Sequence, residues 1–366
     1  MALVLFGHAI EMFFVGRADH LFNLTAFAIW RAIYGFHMSA FFMVAGMARR
    51  NLSEKPALKI AREMLALIIF AYLVHVLGWS GDALVVWNLQ GHLIDVKMLT
   101  DPLIGGHGFF IVVMWFLVAL AWILGAAYLL VGRFHWVIKL AVVAAAIWCN
   151  VELRAGTNYM MLKSVLPGLG FFLIGMGLQA QYFRSARAAF ARIAGWSARW
   201  MWLALLPVAV WLAPFNHGCR WSFSTVCSSG FDAGFVVMLV NGRTGFLPLF
   251  LAAGLAGSMA LFSLARLLMT APRLGRLMAW CGQHTIELLV ANGVVLCLIE
   301  PSLADRLAAF PGHGEVILIP LGLTLAQFVL LPIYGPMVRW LWQAVVRCVG
   351  VATDVVLKKI TGVFAG

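Results

Sequence analysis

The chain has 366 residues, of which 63% are hydrophobic and only 11% are charged, and its mean hydropathy is +0.96. Soluble domains are about 45–50% apolar and about 25% charged, because water must wet their surface. The composition therefore excludes a soluble globular protein and predicts an integral protein of a lipid bilayer. The net charge of +12 would favour a nucleic-acid partner in a soluble protein. We expect none here, because no basic surface interleaved with aromatic residues is evident.

The apolar runs predict an all-α bundle of about ten transmembrane helices, since about 20 apolar residues cross a bilayer as a helix. Residues 1–16 lack the basic start and small-residue cleavage site of a signal peptide, which favours a first membrane segment. The predicted spans are 1–16, 26–48, 60–79, 108–131, 134–153, 160–182, 199–214, 245–268, 279–300 and 316–338.

The basic residues predict how this bundle is oriented. If the N-terminus is cytoplasmic, the cytoplasmic links hold 18 Lys and Arg residues and the outer links hold 7. Short cytoplasmic links are enriched in Lys and Arg, so both termini are predicted to be cytoplasmic. We divide the chain into a transmembrane domain, residues 1–338, and a basic amphipathic helix, residues 339–366, which would lie on the inner leaflet.

The cysteines give no metal-binding pattern. No two of the six form a Cys-x-x-Cys pair, so we predict no metal site. Cys219 and Cys227 share one predicted outer loop. They would form a disulfide in an oxidising compartment, and two unpaired thiols are an equally good interpretation.

Ionisable residues inside the predicted spans are candidate functional residues, because a charge in lipid costs about 2.5–3.5 kcal/mol on insertion scales. His8 and Glu11 share a helix face, so Glu11 could orient His8 as a general base for a hydroxyl. Glu11 could instead face water at the outer interface. Arg31 and His37 could line a polar cavity, although a buried histidine that bonds to a neighbouring helix is the commoner arrangement. Glu287 is a further candidate, within the ninth span.

Five basic residues lie between the second and third spans. Positive charge here keeps the link cytoplasmic, and from charge alone this interpretation is favoured. The same cluster could bind anionic lipid or a phosphate-rich ligand that enters from the cytoplasm. Its members are Arg49, Arg50, Lys55, Lys59 and Arg62.

Three segments in chain order resemble the acyltransferase-3 family, particularly its branch related to fucose 4-O-acetylase. They are Leu3–His8 (LVLFGH), Phe36–Gly46 (FHMSAFFMVAG) and Trp115–Leu120 (WFLVAL). Leu166–Gly175 (LPGLGFFLIG) and Gly282–Leu288 (GQHTIEL) resemble later elements of the family, and Asn292 stands where the last of these often ends in His.

The resemblance implies transfer of an acyl group, usually acetyl, from acyl-CoA to a hydroxyl of a carbohydrate or glycolipid. It implies that His8 is the general base and that Lys59 and Arg62, with Arg49 and Arg50, hold the CoA phosphates. It also assigns His37 to the family's second motif. The predicted substrate pocket consists of Trp115, Glu287 and Asn292.

The resulting hypothesis is an O-acyltransferase of the bacterial inner membrane. His8 would deprotonate the acceptor hydroxyl, oriented by Glu11, and Arg31 or His37 would stabilise the oxyanion. No serine or cysteine stands in a nucleophile motif, so direct transfer is preferred over a covalent intermediate. The first alternative is a transporter or flippase with an intramembrane His/Arg/Glu path. The second is a non-catalytic membrane scaffold.

Overall fold

The computed structural model describes residues 1–11, 24–49, 51–90, 100, 102, 111–130, 137–138, 141, 145, 159–179, 197–216, 237, 239–241, 244–296 and 315–364. Over these residues the fold is helical and no strand occurs. We number the described helices in chain order. They are α1 (Ala2–Ile10), α2 (Leu24–Tyr34), α3 (His37–Met47), α4 (Ala57–Gln90), α5 (Trp115–Leu130), α6 (Leu162–Gln179), α7 (Ser197–Trp200), α8 (Trp202–Leu212), α9 (Leu247–Leu268), α10 (Pro272–Gln283), α11 (Thr285–Val294) and α12 (Glu315–Phe364).

Five described segments are long and apolar enough to cross a membrane. They are Thr25–Met47, Ala57–Gly81, Val112–Leu130, Leu247–Leu268 and Ile317–Lys358, and each corresponds to a predicted span. Three further predicted spans contain shorter apolar helices, Leu162–Leu178, Trp202–Phe215 and Thr285–Val294. The all-helical membrane class is therefore confirmed.

The count of ten stays a prediction. Of span 1–16, the structure describes residues 1–11, with the nine-residue α1. Span 134–153 lies almost entirely outside the described residues.

The last helix is continuous across the predicted boundary at residues 338 and 339. α12 has 50 residues and, at about 1.5 Å per residue, is about 75 Å long, more than twice the thickness of a bilayer core. Beyond the boundary it packs along α4, where Phe70 and Trp342 meet edge to face with ring centroids 5.2 Å apart. Arg62 of α4 also forms an ion pair with Asp354. Residues 339–358 are thus joined to the bundle through α4.

α3 and α6 cross with their backbones in contact. A Cβ atom built on Gly46 would lie 2.0 Å from the carbonyl oxygen of Phe172, and one built on Gly175 would lie 2.0 Å from that of Met43. No side chain fits at either position, so the two glycines allow a close helix crossing of the kind found inside membranes. The fully buried Phe171 lies beside this crossing and anchors the main apolar core.

Two small apolar clusters fix how α1, α11 and α12 pack together. At one level, Leu5 of α1, Leu288 of α11 and Leu331 of α12 form a cluster. At the other level, a second cluster brings together Ile10, Trp30, Leu296, Leu323 and their neighbours. From the first cluster to the second, the residue numbers rise along α1 and α11 and fall along α12. α12 therefore runs antiparallel to α1 and α11. The level between the two clusters is where the polar residues gather.

Candidate functional site

Three aromatic rings, from His8, Tyr34 and His37, meet where α1 packs against α2 and α3; we call them the ring cluster. The centroid of the His8 ring lies 5.8 Å from that of Tyr34 and 6.2 Å from that of His37, and the Tyr34 and His37 centroids are 4.6 Å apart. The neighbouring Gly7 permits this approach, because a Cβ there would lie 3.0 Å from Cγ2 of Ile33. The structure thus brings together two of the predicted residues, His8 and His37, with a tyrosine that was not foreseen.

A backbone hydrogen bond selects the tautomer of His37. Its Nδ1 lies 3.0 Å from the carbonyl oxygen of Ile33, one turn earlier in the chain. A carbonyl oxygen can only accept, so Nδ1 carries the hydrogen and Nε2 keeps its lone pair. His37 is 4% exposed, and this buried ring therefore offers an acceptor nitrogen, which is what a general base requires.

With the Asn292 amide oriented as in the structure, its contact with His8 favours the opposite tautomer. Nδ2 of Asn292 lies 2.5 Å from Nδ1 of the His8 ring. An amide nitrogen only donates, so Nδ1 of His8 accepts and its Nε2 carries the hydrogen. A half-turn of the same amide would present Oδ1 instead and would favour the other tautomer. Asn292 is 1% exposed and comes from α11, so this contact joins residues 284 positions apart.

Glu11 joins the ring cluster through Tyr34. The Tyr34 hydroxyl donates a hydrogen bond to Oε2 of the Glu11 carboxylate. The Tyr34 ring packs against both histidines, and it also contacts Trp30 with a centroid separation of 5.0 Å. A carboxylate, a phenol and two imidazoles from α1, α2 and α3 therefore lie within one contiguous group.

Arg31 lies at a small cavity next to α8. The cavity is lined by Arg31, Gly35, Ala213, Asn216, Val237 and Ala253. The guanidinium carbon of Arg31 lies 5.1 Å from the centroid of the Phe27 ring, a cation–π contact. The oxyanion role predicted for Arg31 stays a prediction.

The three residues of the predicted substrate pocket have different surroundings. Asn292 bonds to His8, as described above. Glu287 is 4% exposed, and its Oε1 accepts from Nε of Arg339 at 2.9 Å and from Nη2 at 2.8 Å. Glu287 and Asn292 are five residues apart, which turns them to different faces of a helix. Trp115 is 7% exposed and packs edge to face on Phe116 within the main core. Asn292 thus contacts the ring cluster through His8, whereas Glu287 forms an ion pair with Arg339 and Trp115 packs in the main apolar core.

The predicted phosphate-binding cations converge at the start of α4, together with carboxylates. Glu63 forms ion pairs with Nη1 of Arg49 at 2.7 Å and with Nζ of Lys55 at 3.1 Å. Arg62 pairs with Asp354 on α12. Lys59 is exposed, and among the described residues it has no carboxylate partner. Any anionic ligand would therefore compete with Glu63 and Asp354 for these cations. The fifth cation of the cluster, Arg50, lies outside the described residues.

Cysteine and metal chemistry add little to the site. Within the described part of the chain, no group of three or more His, Cys, Asp or Glu side chains is placed to hold a metal ion. Cys281 and Cys348 are free thiols. Cys219 and Cys227, for which a disulfide was considered, lie outside the described residues.

The fold and the ring cluster together define a helical membrane protein with ionisable side chains gathered between helices. Comparison with known families gives one match, to a family described as B12D: NADH-ubiquinone reductase complex 1 MLRQ subunit, over residues 243–274. This segment contains α9 and none of the predicted site residues. No curated protein matches the chain, and no solved structure does.

The predicted membership of the acyltransferase-3 family is wrong, because the family model that matches is B12D. The packing of the structure explains why the motifs misled. Gly46 and Gly175, which close two of the motifs, are needed where α3 crosses α6. Phe171 and Phe172 fill the core beside that crossing. Glycines and aromatic residues with such spacing are common wherever membrane helices pack closely, so they do not identify a reaction.

Proposed function

We propose that this protein is a membrane O-acyltransferase that moves an acyl group, in the simplest case acetyl, from acyl-CoA to a hydroxyl of a carbohydrate or glycolipid. The observation that supports it is the complementary hydrogen bonding of the two histidines. His37 offers a lone pair on Nε2, and His8 offers a hydrogen on Nε2. Acyl transfer to a hydroxyl needs both, a base for the hydroxyl and a donor for the oxyanion.

The proposed reaction uses the histidines in roles opposite to those predicted from the sequence. Nε2 of His37 takes the proton of the acceptor hydroxyl as its oxygen attacks the thioester carbon. The Nε2–H group of His8 donates to the developing oxyanion, and Asn292 holds that tautomer in place. When the tetrahedral intermediate collapses, the carbon–sulfur bond breaks and the imidazolium of His37 returns its proton to the departing CoA thiolate. The products are an ester and free CoA, and both histidines regain their starting protonation.

The basic cluster is the proposed site for the CoA phosphates. Lys59 is exposed and would bind first, while Arg49 and Lys55 must exchange Glu63 for phosphate. Replacing Glu63 with Gln removes the competing charge. The Glu63→Gln variant should therefore lower the KM for acyl-CoA, and Lys59→Ala should raise it. A KM that neither variant changes would leave these cations with a purely topological role.

We further propose the bacterial inner membrane, with about ten spans and both termini in the cytoplasm. The bias of Lys and Arg toward alternate links supports this orientation. It puts the start of α4 on the side where acyl-CoA is made, and it leaves the ring cluster within the helical bundle.

Glutamine variants test the assigned roles, because a glutamine amide can donate a hydrogen bond but cannot act as a base. The assay follows radiolabelled acetyl-CoA into a carbohydrate and glycolipid extract of host membranes, with each variant's membrane insertion confirmed. His37→Gln and His37→Ala should both lower the rate by about 10²–10⁴-fold. His8→Ala should lower it by about 10²–10³-fold, and His8→Gln should keep part of the activity.

Two results would contradict this proposal. Equal losses in His8→Gln and His8→Ala, with activity retained in His37→Gln, would make His8 the base, as the sequence predicts. Label transfer that is no greater than in membranes without the protein, or that survives loss of both histidines, would refute acyl transfer at this site.

A proton-coupled transporter is the second candidate. The observation that favours it is the contiguous group of Glu11, Tyr34, His37 and His8, because ionisable side chains that touch across helices can pass protons. Proteoliposomes that contain a pH-sensitive dye separate the two candidates. A proton-coupled transporter would change the pH of the lumen when substrate is added, and it would transfer no label from acetyl-CoA.

A further inference from the structure

We propose that Gln327 of α12 belongs to the same site and accepts a hydrogen bond from a hydroxyl of the acceptor substrate, which names a neutral, hydroxyl-rich molecule as the ligand. This inference rests on the proposed function. Gln327 is 3% exposed, and it lies in an apolar stretch of a helix that crosses the membrane. A buried amide at such a depth needs an explanation, because lipid and apolar neighbours cannot satisfy it.

The two small clusters locate Gln327 at the level of the ring cluster. Leu331 belongs to the cluster with Leu5 and Leu288, and Leu323 belongs to the cluster with Ile10 and Leu296. Gln327 is four residues from each of these leucines and therefore lies on the same face of α12, midway between them. Residue 292 of α11 is likewise midway between 288 and 296, and His8 lies between Leu5 and Ile10. The same level of the bundle thus holds His8, Asn292 and Gln327.

The hydrogen bonds of the amide decide what chemistry it offers. Nε2 of Gln327 donates to the carbonyl oxygen of Leu323 at 3.4 Å. Oε1 is buried, and it has no hydrogen-bond partner among the described residues. Turning the amide over would set its oxygen against the Leu323 carbonyl, two acceptors face to face, so Oε1 is the atom left over. The unpaired Oε1 of Gln327 can therefore accept a hydrogen bond from a bound ligand.

The backbone at this position is also held in place. The Tyr334 hydroxyl donates to the carbonyl oxygen of Gln327 at 2.9 Å, which ties the turn that carries the amide to the next turns of α12. Hydroxyl groups donate hydrogen bonds without bringing charge into the membrane. A carboxylate or phosphate would repel Oε1, so the geometry points to a polyol such as a sugar.

The experiment compares Gln327→Met, which keeps the length of the side chain and removes the acceptor, with Gln327→Glu. The buried carboxyl of Gln327→Glu is expected to be protonated, so that its O–H group donates to the Leu323 carbonyl and its other oxygen keeps the acceptor. Thr324→Val is the control: Thr324 is buried one turn away, and its hydroxyl already donates to Pro320 at 2.7 Å. The acceptor is the host-membrane carbohydrate and glycolipid extract, and the donor is radiolabelled acetyl-CoA. The midpoint of thermal unfolding in detergent is measured for every variant.

Gln327→Met should raise the extract concentration needed for half-maximal transfer by about 5–10-fold, the size expected for one lost hydrogen bond. Its KM for acetyl-CoA should not change, and Gln327→Glu and Thr324→Val should stay within about 2-fold of the wild type. At the same concentration, the extract should raise the unfolding midpoint of Gln327→Met less than it raises that of the wild type and of Thr324→Val.

Three results would overturn the inference. The first is an unchanged acceptor dependence in Gln327→Met, while His37→Ala abolishes transfer; acyl transfer would then stand and only the role of Gln327 would fall. The second is a parallel rise of both KM values with a lowered unfolding midpoint, which would mark a structural role. The third is transfer that survives loss of both histidines, which refutes the proposed function together with this inference.

Discussion

Replacing Gly46 with Ala tests the tightest helix contact in the protein. The new Cβ would lie 2.0 Å from the Phe172 carbonyl oxygen, whereas real Cβ atoms essentially never approach another heavy atom closer than 3.0 Å. The difference requires α3 and α6 to separate by about 1 Å. The atom in the way belongs to the backbone of a buried helix, so no side-chain rotation can relieve the clash.

The cost follows from two opposing effects. Overpacking of this kind costs about 1–3 kcal/mol. Alanine is a better helix former than glycine by about 0.8–1.0 kcal/mol, which offsets part of it. We expect a net loss of up to about 2 kcal/mol relative to the wild type, and a midpoint of thermal unfolding in detergent that is lower by up to about 3 °C. Gly322→Ala is the matched control, because Gly322 lies within a helix and a Cβ there would meet nothing within 4 Å.

The double variant makes the test sharper. Gly175→Ala meets the Met43 carbonyl oxygen at the same crossing, so one separation of the helices relieves both clashes. Gly46→Ala and Gly175→Ala together should therefore cost less than the sum of the single variants. If Gly46→Ala unfolds at the same temperature as Gly322→Ala, then α3 and α6 are not in backbone contact and this reasoning is refuted.

Two other predictions concern the ion pair between Glu287 and Arg339 and the orientation of α10. Arg339→Leu should destabilise the protein by about 3 kcal/mol, because it leaves the carboxylate of Glu287, whose side chain is 6% exposed, buried without a partner. Glu287→Leu should cost only about 1 kcal/mol, because the Arg339 side chain is 48% exposed and can reach water. Equal unfolding midpoints of the two variants would contradict this prediction. Arg276→Cys on the exposed α10 should react with a membrane-impermeant maleimide in inverted vesicles and not in right-side-out ones. The opposite labelling pattern would reverse the proposed orientation.

The membrane class could be predicted from composition, because an apolar excess of this size has no place in a protein surrounded by water. The lengths of individual helices could not. α1 has nine residues and α11 has ten, although the apolar runs around them are longer. Hydropathy reports where apolar residues continue, whereas a helix ends where the backbone turns, as at the junction of α2 and α3 between Tyr34 and His37.

The candidate site was predictable in part. His8 and His37 stood out as ionisable residues within apolar runs, and the structure brings their rings together. Tyr34 and Gln327 were missed because a search for charge passes over a phenol and an uncharged amide. The signal for Gln327 was present, as an amide inside an apolar run that is long enough to cross the membrane. The contact of His8 with Asn292 joins distant parts of the chain, and no local spacing encodes it.

The basic cluster is a second example of a contact that the sequence could not predict. Five cations close together in the sequence predicted a site for anions, but the sequence did not reveal that Asp354 would reach Arg62 from 292 residues away. That ion pair changes the chemistry, because a phosphate now has to displace a carboxylate. It also joins the end of α12 to the start of α4, while Gln327 of the same helix lies at the level of the ring cluster. α12 thus connects the proposed phosphate-binding cations at the start of α4 with the residue proposed to contact the acceptor, a link that no local spacing in the sequence encodes.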